Sequence, residues 1–145
     1  VYAYPGAVQA VLAADMVVVG PGSLFTSILP SLLVSDLTAA IRSSQALKVY
    51  VCNVATQPGE TDGFSVSDHV RALDSHTDGK LFEFVIANRC QKGSLLPDMS
   101  WTTLDLGQNS TPDIITADVV DDAYPWRHDS KKLALALLEL LGKER

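Results

Sequence analysis

The first segment whose residues could bind a ligand is a glycine-rich turn at the end of an apolar run. Gly20-Pro21-Gly22-Ser23 follows β-branched residues and precedes a helical pattern, so two glycines would let backbone N–H groups approach a ligand closely. The start of a helix favours an anion, and three nearby hydroxyls would add hydrogen bonds. These are the side chains of Ser23, Thr26 and Ser27. The turn therefore predicts a phosphate or nucleotide contact, although a tight turn with a serine cap has the same residues.

A second polar segment follows another apolar run and is longer than most strand-to-helix loops. It offers amides, hydroxyls and carboxylates that suit sugar hydroxyls, or water and Mg²⁺ beside a phosphate. Its candidate ligand-binding residues are Asn53, Thr56, Gln57, Gly59, Glu60, Thr61 and Asp62. A solvated turn built on Pro58-Gly59 is the alternative. Asn53 could equally hydrogen-bond a ligand or the nearby backbone.

A third candidate is Arg127, in the triplet Arg127-His128-Asp129 before the last helical pattern. A guanidinium suits bidentate phosphate recognition. A local ion pair with a helix cap explains the triplet equally well. No nucleophile and base stand at a catalytic spacing, so catalytic residues remain unassigned, and no His/Cys group has metal-ligand spacing.

The elements that must position these residues alternate between strand and helix. Short apolar runs predict strands at 16–20, 48–54, 81–87 and 113–118. Helical patterns cover 5–14, 23–33 with a break at Pro30, 35–44, 65–75 with a capping-box start, and 130–141. Residues 91–112 have no clear period, apart from a short strand expected near 101–106.

This alternation predicts one α/β domain over residues 1–145, with a Rossmann-like, mostly parallel sheet and flanking helices. In such sheets the carboxyl ends of the strands share one edge, where ligands bind. All three polar segments follow strands. The sequence therefore predicts that they gather at this edge.

Composition narrows the class of partner. The chain has 145 residues, 11 Lys and Arg against 17 Asp and Glu, and a formal net charge of −6, which argues against general nucleic-acid binding. No apolar run is long enough for a membrane span. The two cysteines, Cys52 and Cys90, form no metal or disulfide pattern and suit a reducing cytoplasm.

Two long motifs resemble the YvcK family of gluconeogenesis factors. They are ADMVVVGPGSLFTSILPSLLV at 14–34 and VYVCNVATQPGETDG at 49–63. The segments SDHVRAL at 67–73 and RHD at 127–129 continue the match in the same order. The YvcK family shares a superfamily with the CofD-type 2-phospho-L-lactate transferases.

The resemblance implies a cytoplasmic regulatory protein that binds a nucleotide sugar such as UDP-GlcNAc and supports cell shape and gluconeogenic growth. It places the phosphates at Gly20–Ser23, Thr26, Ser27 and Arg127, and the sugar at the 53–62 loop. A CofD-type phospholactyl transferase using Mg²⁺ is the alternative function, and a non-binding fragment is another. The family's N-terminal Gly-Gly-Gly-Thr-Gly loop does not occur. We therefore expect the C-terminal part of a CofD-like fold, within a longer chain that could form a homo-oligomer.

Overall fold

The computed structural model describes residues 1–105 and 112–145. Helices and strands alternate as the sequence predicts. In chain order the elements are α1 (Pro5–Ala13), β1 (Met16–Val19), a π-helical turn (Leu24–Ile28), α2 (Leu29–Leu32), α3 (Ser35–Ser43), β2 (Leu47–Val51), α4 (Val66–His76), β3 (Phe84–Asn88), β4 (Asp113–Ala117) and α5 (Ser130–Glu144).

The four strands form one parallel sheet in the order β1-β2-β3-β4. Val18 of β1 stands beside Val49 of β2, and Val49 stands beside Phe84 of β3. Each crossover moves one strand further in the same direction. Since such crossovers are almost always right-handed, their helices are expected on one face of the sheet.

The two faces carry separate apolar clusters. Tyr50 and Cys52 pack with residues of α2, α3 and α4, whereas Val49 and Val51 pack with residues of α5. This alternation follows from the two-residue period of a strand. The sheet is therefore covered by helices on both faces, which confirms the predicted Rossmann-like α/β class.

Strand boundaries differ from the sequence-based ones where apolar residues are buried without joining the ladder. The third strand begins at Phe84 rather than at residue 81, because Leu81 and Phe82 pack into the core from the preceding segment. The second strand ends at Val51 rather than at residue 54, before the chain turns at Asn53. Hydrophobicity alone does not separate these two kinds of buried residue.

The segment after β1 explains the predicted break at Pro30. Leu24–Ile28 forms a π-helical turn, in which the Ile28 N–H donates to the Ser23 carbonyl at 2.9 Å. Pro30 then lies in the first turn of α2, where its missing N–H leaves no bond unmade. The break therefore falls just before Pro30, where the π-helical turn gives way to α2.

The prediction of a short strand at 101–106 is wrong for residues 101–105, the part of it that the structure describes. Trp101 makes a single antiparallel bridge to Ala55, and Thr103 makes a single parallel bridge to Ser65. The segment changes partner within two residues, so no ladder develops. Leu106 lies outside the described residues.

No single helix in the described part of the chain is long and apolar enough to cross a membrane. One strongly bent pair, Leu24–Leu32 with Ser35–Ser43, meets the length and composition requirement only when the two are taken together.

Candidate functional site

The turn after β1 requires glycine at its first position. Gly20 has φ of +91°, and a Cβ built on it would lie 2.7 Å from the Val51 carbonyl oxygen. A side chain would be strained by the backbone and would also collide with β2. The first glycine of the motif therefore lets the turn pass close to the neighbouring strand.

Asn53 holds this turn from the end of β2. Its Oδ1 accepts the Gly22 N–H at 3.2 Å, and its Nδ2 donates to the Gly22 carbonyl at 2.9 Å. The amide thus satisfies both backbone groups of one residue. The sequence left open whether Asn53 hydrogen-bonds a ligand or the backbone. In the structure it hydrogen-bonds the backbone, and this contact connects the loop after β2 to the turn after β1.

Glu60 occupies the hydrogen-bond donors at the start of the helical segment. Its Oε1 accepts the Phe25 N–H at 2.8 Å and the Ser23 hydroxyl. Ser23 also contacts the Thr26 hydroxyl. A carboxylate of the second loop therefore lies where the sequence predicts that a phosphate binds.

The rest of that loop is largely held by its own hydrogen bonds. The buried Thr61 hydroxyl accepts the Gln57 N–H at 2.9 Å, and the buried Thr56 hydroxyl accepts the Ser100 N–H at 2.9 Å. Asp62 Oδ2 accepts the Gly59 N–H at 2.6 Å. These groups hold the loop in shape and fasten it to residue 100.

A cavity of about 670 Å³ lies at the carboxyl edge of the sheet, beside the turn. Six of the residues predicted from the sequence line it: Pro21, Gly22, Ser23, Asn53, Gln57 and Arg127. Eight others do not: Gly20, Thr26, Ser27, Thr56, Gly59, Glu60, Thr61 and Asp62. The structure therefore brings most of the first turn, Gln57 and Arg127 together around the cavity, whereas most of the second loop is not part of the lining.

Arg127 lines the cavity, and its guanidinium stacks on an aromatic ring. The guanidinium carbon lies 4.2 Å from the centre of the Tyr124 ring, and Nε lies 3.6 Å from Asp121 Oδ2. The pKa of Asp121 lies below its usual value. The cause is that its carboxylate accepts hydrogen bonds from the Tyr124 and Ala123 N–H groups and lies beside the Arg127 guanidinium. The 121–127 loop thus orients a cation that remains largely exposed.

His128, next to Arg127, forms part of the wall. Burial lowers its pKa to about 4, against an opposing effect of the Cys52 backbone, so the ring is neutral near pH 7. Its Nε2 is buried without a hydrogen-bond partner, as is Oε1 of Gln57. Both residues line the cavity, which gives it uncharged polar groups as well as Arg127.

Metal ligands do not gather in the part of the chain that the structure describes. Residues 1–105 and 112–145 contain no group of three or more His, Cys, Asp or Glu side chains arranged to hold a metal ion.

Comparison with known proteins identifies the family. The model of the family described as "2-phospho-L-lactate transferase CofD" matches residues 1–136. The chain belongs to the CofD family. A "Putative gluconeogenesis factor" of Nostoc sp. is 51% identical, over 97% of this chain and 33% of the relative. A "Gluconeogenesis factor" of Listeria innocua is 54% identical over 54% of this chain and 24% of the relative.

A solved structure extends the likeness to three dimensions. A UPF0052-family protein from Bacillus halodurans superposes with a TM-score of 0.83 at 32% identity. The match covers 94% of this chain and 47% of that protein. This CofD-family chain therefore spans about half the length of the solved relative and about a third of the Nostoc one.

Sequence reasoning missed most of the cavity wall of this CofD-family chain. Met99 and Trp126 line it, and α5 contributes Leu133, Ala134 and Leu137. The α5 residues recur at helical spacing and look like ordinary core residues. The available signal was Trp126, which stands directly before Arg127 and whose ring could either pack in the core or stack on a base.

Proposed function

We propose that this chain binds a nucleotide sugar of the UDP-GlcNAc type as a regulatory ligand, without converting it. One observation carries the proposal. Among the described residues that line the cavity, Arg127 is the one that is formally charged, in a chain whose net charge is −6. A local cation in an acidic protein favours an anionic ligand at that place.

The geometry of Arg127 supports a diphosphate contact. Its guanidinium is oriented by Tyr124 and Asp121 and remains largely exposed. Planar guanidinium donors match phosphate oxygens in pairs. The ligand's phosphates would therefore bind at Arg127.

The rest of the wall supports an uncharged ligand portion. Trp126 and the α5 side chains of Leu133 and Leu137 provide apolar surface, and Gln57 and His128 provide polar groups. Ligand pockets commonly combine a mostly apolar lining with a few polar groups. A base or a sugar ring would lie against this wall.

The names of the relatives agree with a regulatory role. The Nostoc and Listeria proteins are described as gluconeogenesis factors. We propose control of growth on gluconeogenic carbon sources as the role of the bound state, and control of cell shape as a further role that these names do not address.

The test is a thermal-shift titration with UDP-GlcNAc on the protein and two variants. The melting temperature of the protein should rise with ligand concentration, because a ligand of the folded state stabilises it. Arg127→Ala should lose the rise. Arg71→Ala, which removes an exposed arginine paired with Asp68 at 2.8 Å, should keep it.

Two results would contradict the proposal. One is a melting temperature that ignores millimolar UDP-GlcNAc, and the other is an unchanged ligand response in Arg127→Ala. After incubation with the protein, the mass of UDP-GlcNAc measured by mass spectrometry should be unchanged, because the proposed ligand is bound and not converted.

A second candidate is favoured by the description of the family model, which names a 2-phospho-L-lactate transferase. A CofD-type enzyme would pass a phospholactyl group from a lactyl-bearing guanosine diphosphate donor to a hydroxyl of a deazaflavin acceptor in the presence of Mg²⁺, with cleavage of the diphosphate bond and release of guanosine monophosphate. Appearance of that product by mass spectrometry would establish this candidate in place of simple binding.

A further inference from the structure

Glu60 connects the two loops of the candidate site through a single carboxylate oxygen. Oε1 accepts the Phe25 N–H at 2.8 Å and the Ser23 hydroxyl. Backbone bonds hold the residue in place, since the Glu60 and Thr61 N–H groups both donate to the Gln57 carbonyl, at 3.0 and 2.9 Å. Glu60 therefore presents a fixed negative charge to the turn after β1.

No cation neutralises this charge within the described residues. The ion pairs found in residues 1–105 and 112–145 do not include Glu60. Its Oε1 has hydrogen-bond donors, but donors from neutral groups leave the net charge in place. The carboxylate therefore keeps a negative potential around Ser23.

Ser23 lines the cavity, whereas Glu60 contacts Ser23 without being one of the lining residues. The Glu60 charge consequently acts on the Ser23 wall, while the Arg127 charge acts where Arg127 meets the cavity. A ligand with one anionic end experiences attraction at one place and repulsion at the other. Its orientation follows from this difference.

We propose that Glu60 is a specificity-determining residue of the site: its charge directs the phosphates of the ligand to Arg127 and away from the turn at Ser23. The proposal rests on the proposed function, because it assigns the orientation and affinity of the same anionic ligand. It also revises the sequence-based expectation that the glycine-rich turn is the main phosphate contact. In this proposal the charge of Glu60 weakens binding of an anionic ligand near Ser23, and this effect does not require Glu60 to contact the ligand.

The experiment compares Glu60→Gln with Asp62→Asn by calorimetric titration of UDP-GlcNAc, UDP and free N-acetylglucosamine. Glutamine keeps an oxygen that can accept from Phe25 and Ser23 but removes the charge. Asp62→Asn removes one charge from the same loop at a residue bonded to Gly59 rather than to the turn. It is the matched control.

The expected result is tighter binding of both phosphate-bearing ligands to Glu60→Gln. The increase should be roughly two- to fivefold at low ionic strength, and should shrink as salt is added, because the charges act across several ångströms of partly solvated protein. Asp62→Asn should change affinity less. Binding of the uncharged sugar should be equal in all three proteins.

Other results would overturn the proposal. If Glu60→Gln weakens UDP-GlcNAc but not UDP, Glu60 accepts a hydrogen bond from the sugar. If it weakens both, the carboxylate holds the turn in its binding shape, and if neither changes, its charge does not reach the ligand. Failure of the unmodified protein to bind either phosphate ligand would instead contradict the proposed function.

Discussion

The amide of Asn53 is bonded to both the N–H and the carbonyl of Gly22, at 3.2 and 2.9 Å, across 31 positions of sequence. This pair links the ends of β1 and β2 at the edge where the cavity opens. The shape of the glycine-rich turn therefore depends on a residue of the next loop.

Asn53→Ala should lower the free energy of unfolding by roughly 1–3 kcal/mol, because two backbone groups lose their partner. Urea unfolding measures this loss. Asn53→Asp keeps the acceptor for the Gly22 N–H but faces the Gly22 carbonyl with a second oxygen, so it should also be destabilised. An unchanged urea midpoint in Asn53→Ala would show that water replaces the amide without cost.

Gly20→Ala should destabilise the fold far more than Gly59→Ala. Both glycines have positive φ, but a Cβ at Gly59 has no atom within 4 Å, whereas one at Gly20 meets the Val51 carbonyl. The left-handed conformation alone costs about 1 kcal/mol. The collision should raise the loss at Gly20 to about 3 kcal/mol. Equal urea midpoints for the two variants would refute the close approach of β1 and β2.

Stability should fall as pH decreases from about 6.5 to about 4, because the folded protein holds the partly buried His128 in its neutral form. Its pKa is lowered from 6.5 to about 4 by burial. In that range the unfolded chain binds a proton at His128 and the folded chain does not, so acid favours unfolding. The loss due to this residue is at most about 3 kcal/mol.

Unfolding measured between pH 7 and pH 5 isolates this effect from most carboxylates. His128→Gln should show a smaller fall in stability than the unmodified protein, with the remainder due in part to His69, whose pKa burial also lowers. A histidine resonance of His128 that titrates near pH 6.5 in the folded protein would contradict the assignment.

Tyr124→Leu should weaken binding of UDP-GlcNAc although Tyr124 does not line the cavity. The ring supports the Arg127 guanidinium at 4.2 Å, and such contacts contribute about 0.5–1 kcal/mol at exposed sites. Affinity should fall roughly two- to fivefold. Tyr2→Leu, at a fully exposed tyrosine, should have no effect.

The same ligand titrated into Tyr124→Leu/Arg127→Ala tests whether Tyr124 acts through Arg127. The double variant should bind no more weakly than Arg127→Ala alone, because the tyrosine has no cation left to orient. Additive losses would mean that Tyr124 contacts the ligand itself.

Much of the fold could be predicted from residues that are close in sequence. Ser65 and Asp68 form the capping box that begins α4, as their spacing indicates. The strands end near the polar turns that follow them, since apolar runs and glycine signals are local. The exceptions are residues such as Leu81, whose burial is not caused by strand pairing.

The candidate site could be predicted only in part. Gln57 and Arg127 line one cavity, as their positions after strands suggest, because the carboxyl ends of parallel strands share an edge. The role of Glu60 could not be predicted, since its partners at Ser23 and Phe25 are 35 or more positions away. Such contacts depend on how the loops pack.

By itself the sequence determined the alternation of helices and strands, the capping of α4, the interruption at Pro30 and the gathering of polar loops at one edge. These follow from periodicity, backbone constraints and the geometry of parallel strands. Only the tertiary structure decided the strand order, the α5 wall, the lowered pKa of His128 and the placement of the Glu60 carboxylate at the turn. Packing joins residues far apart in the chain, and no local pattern specifies which of them meet.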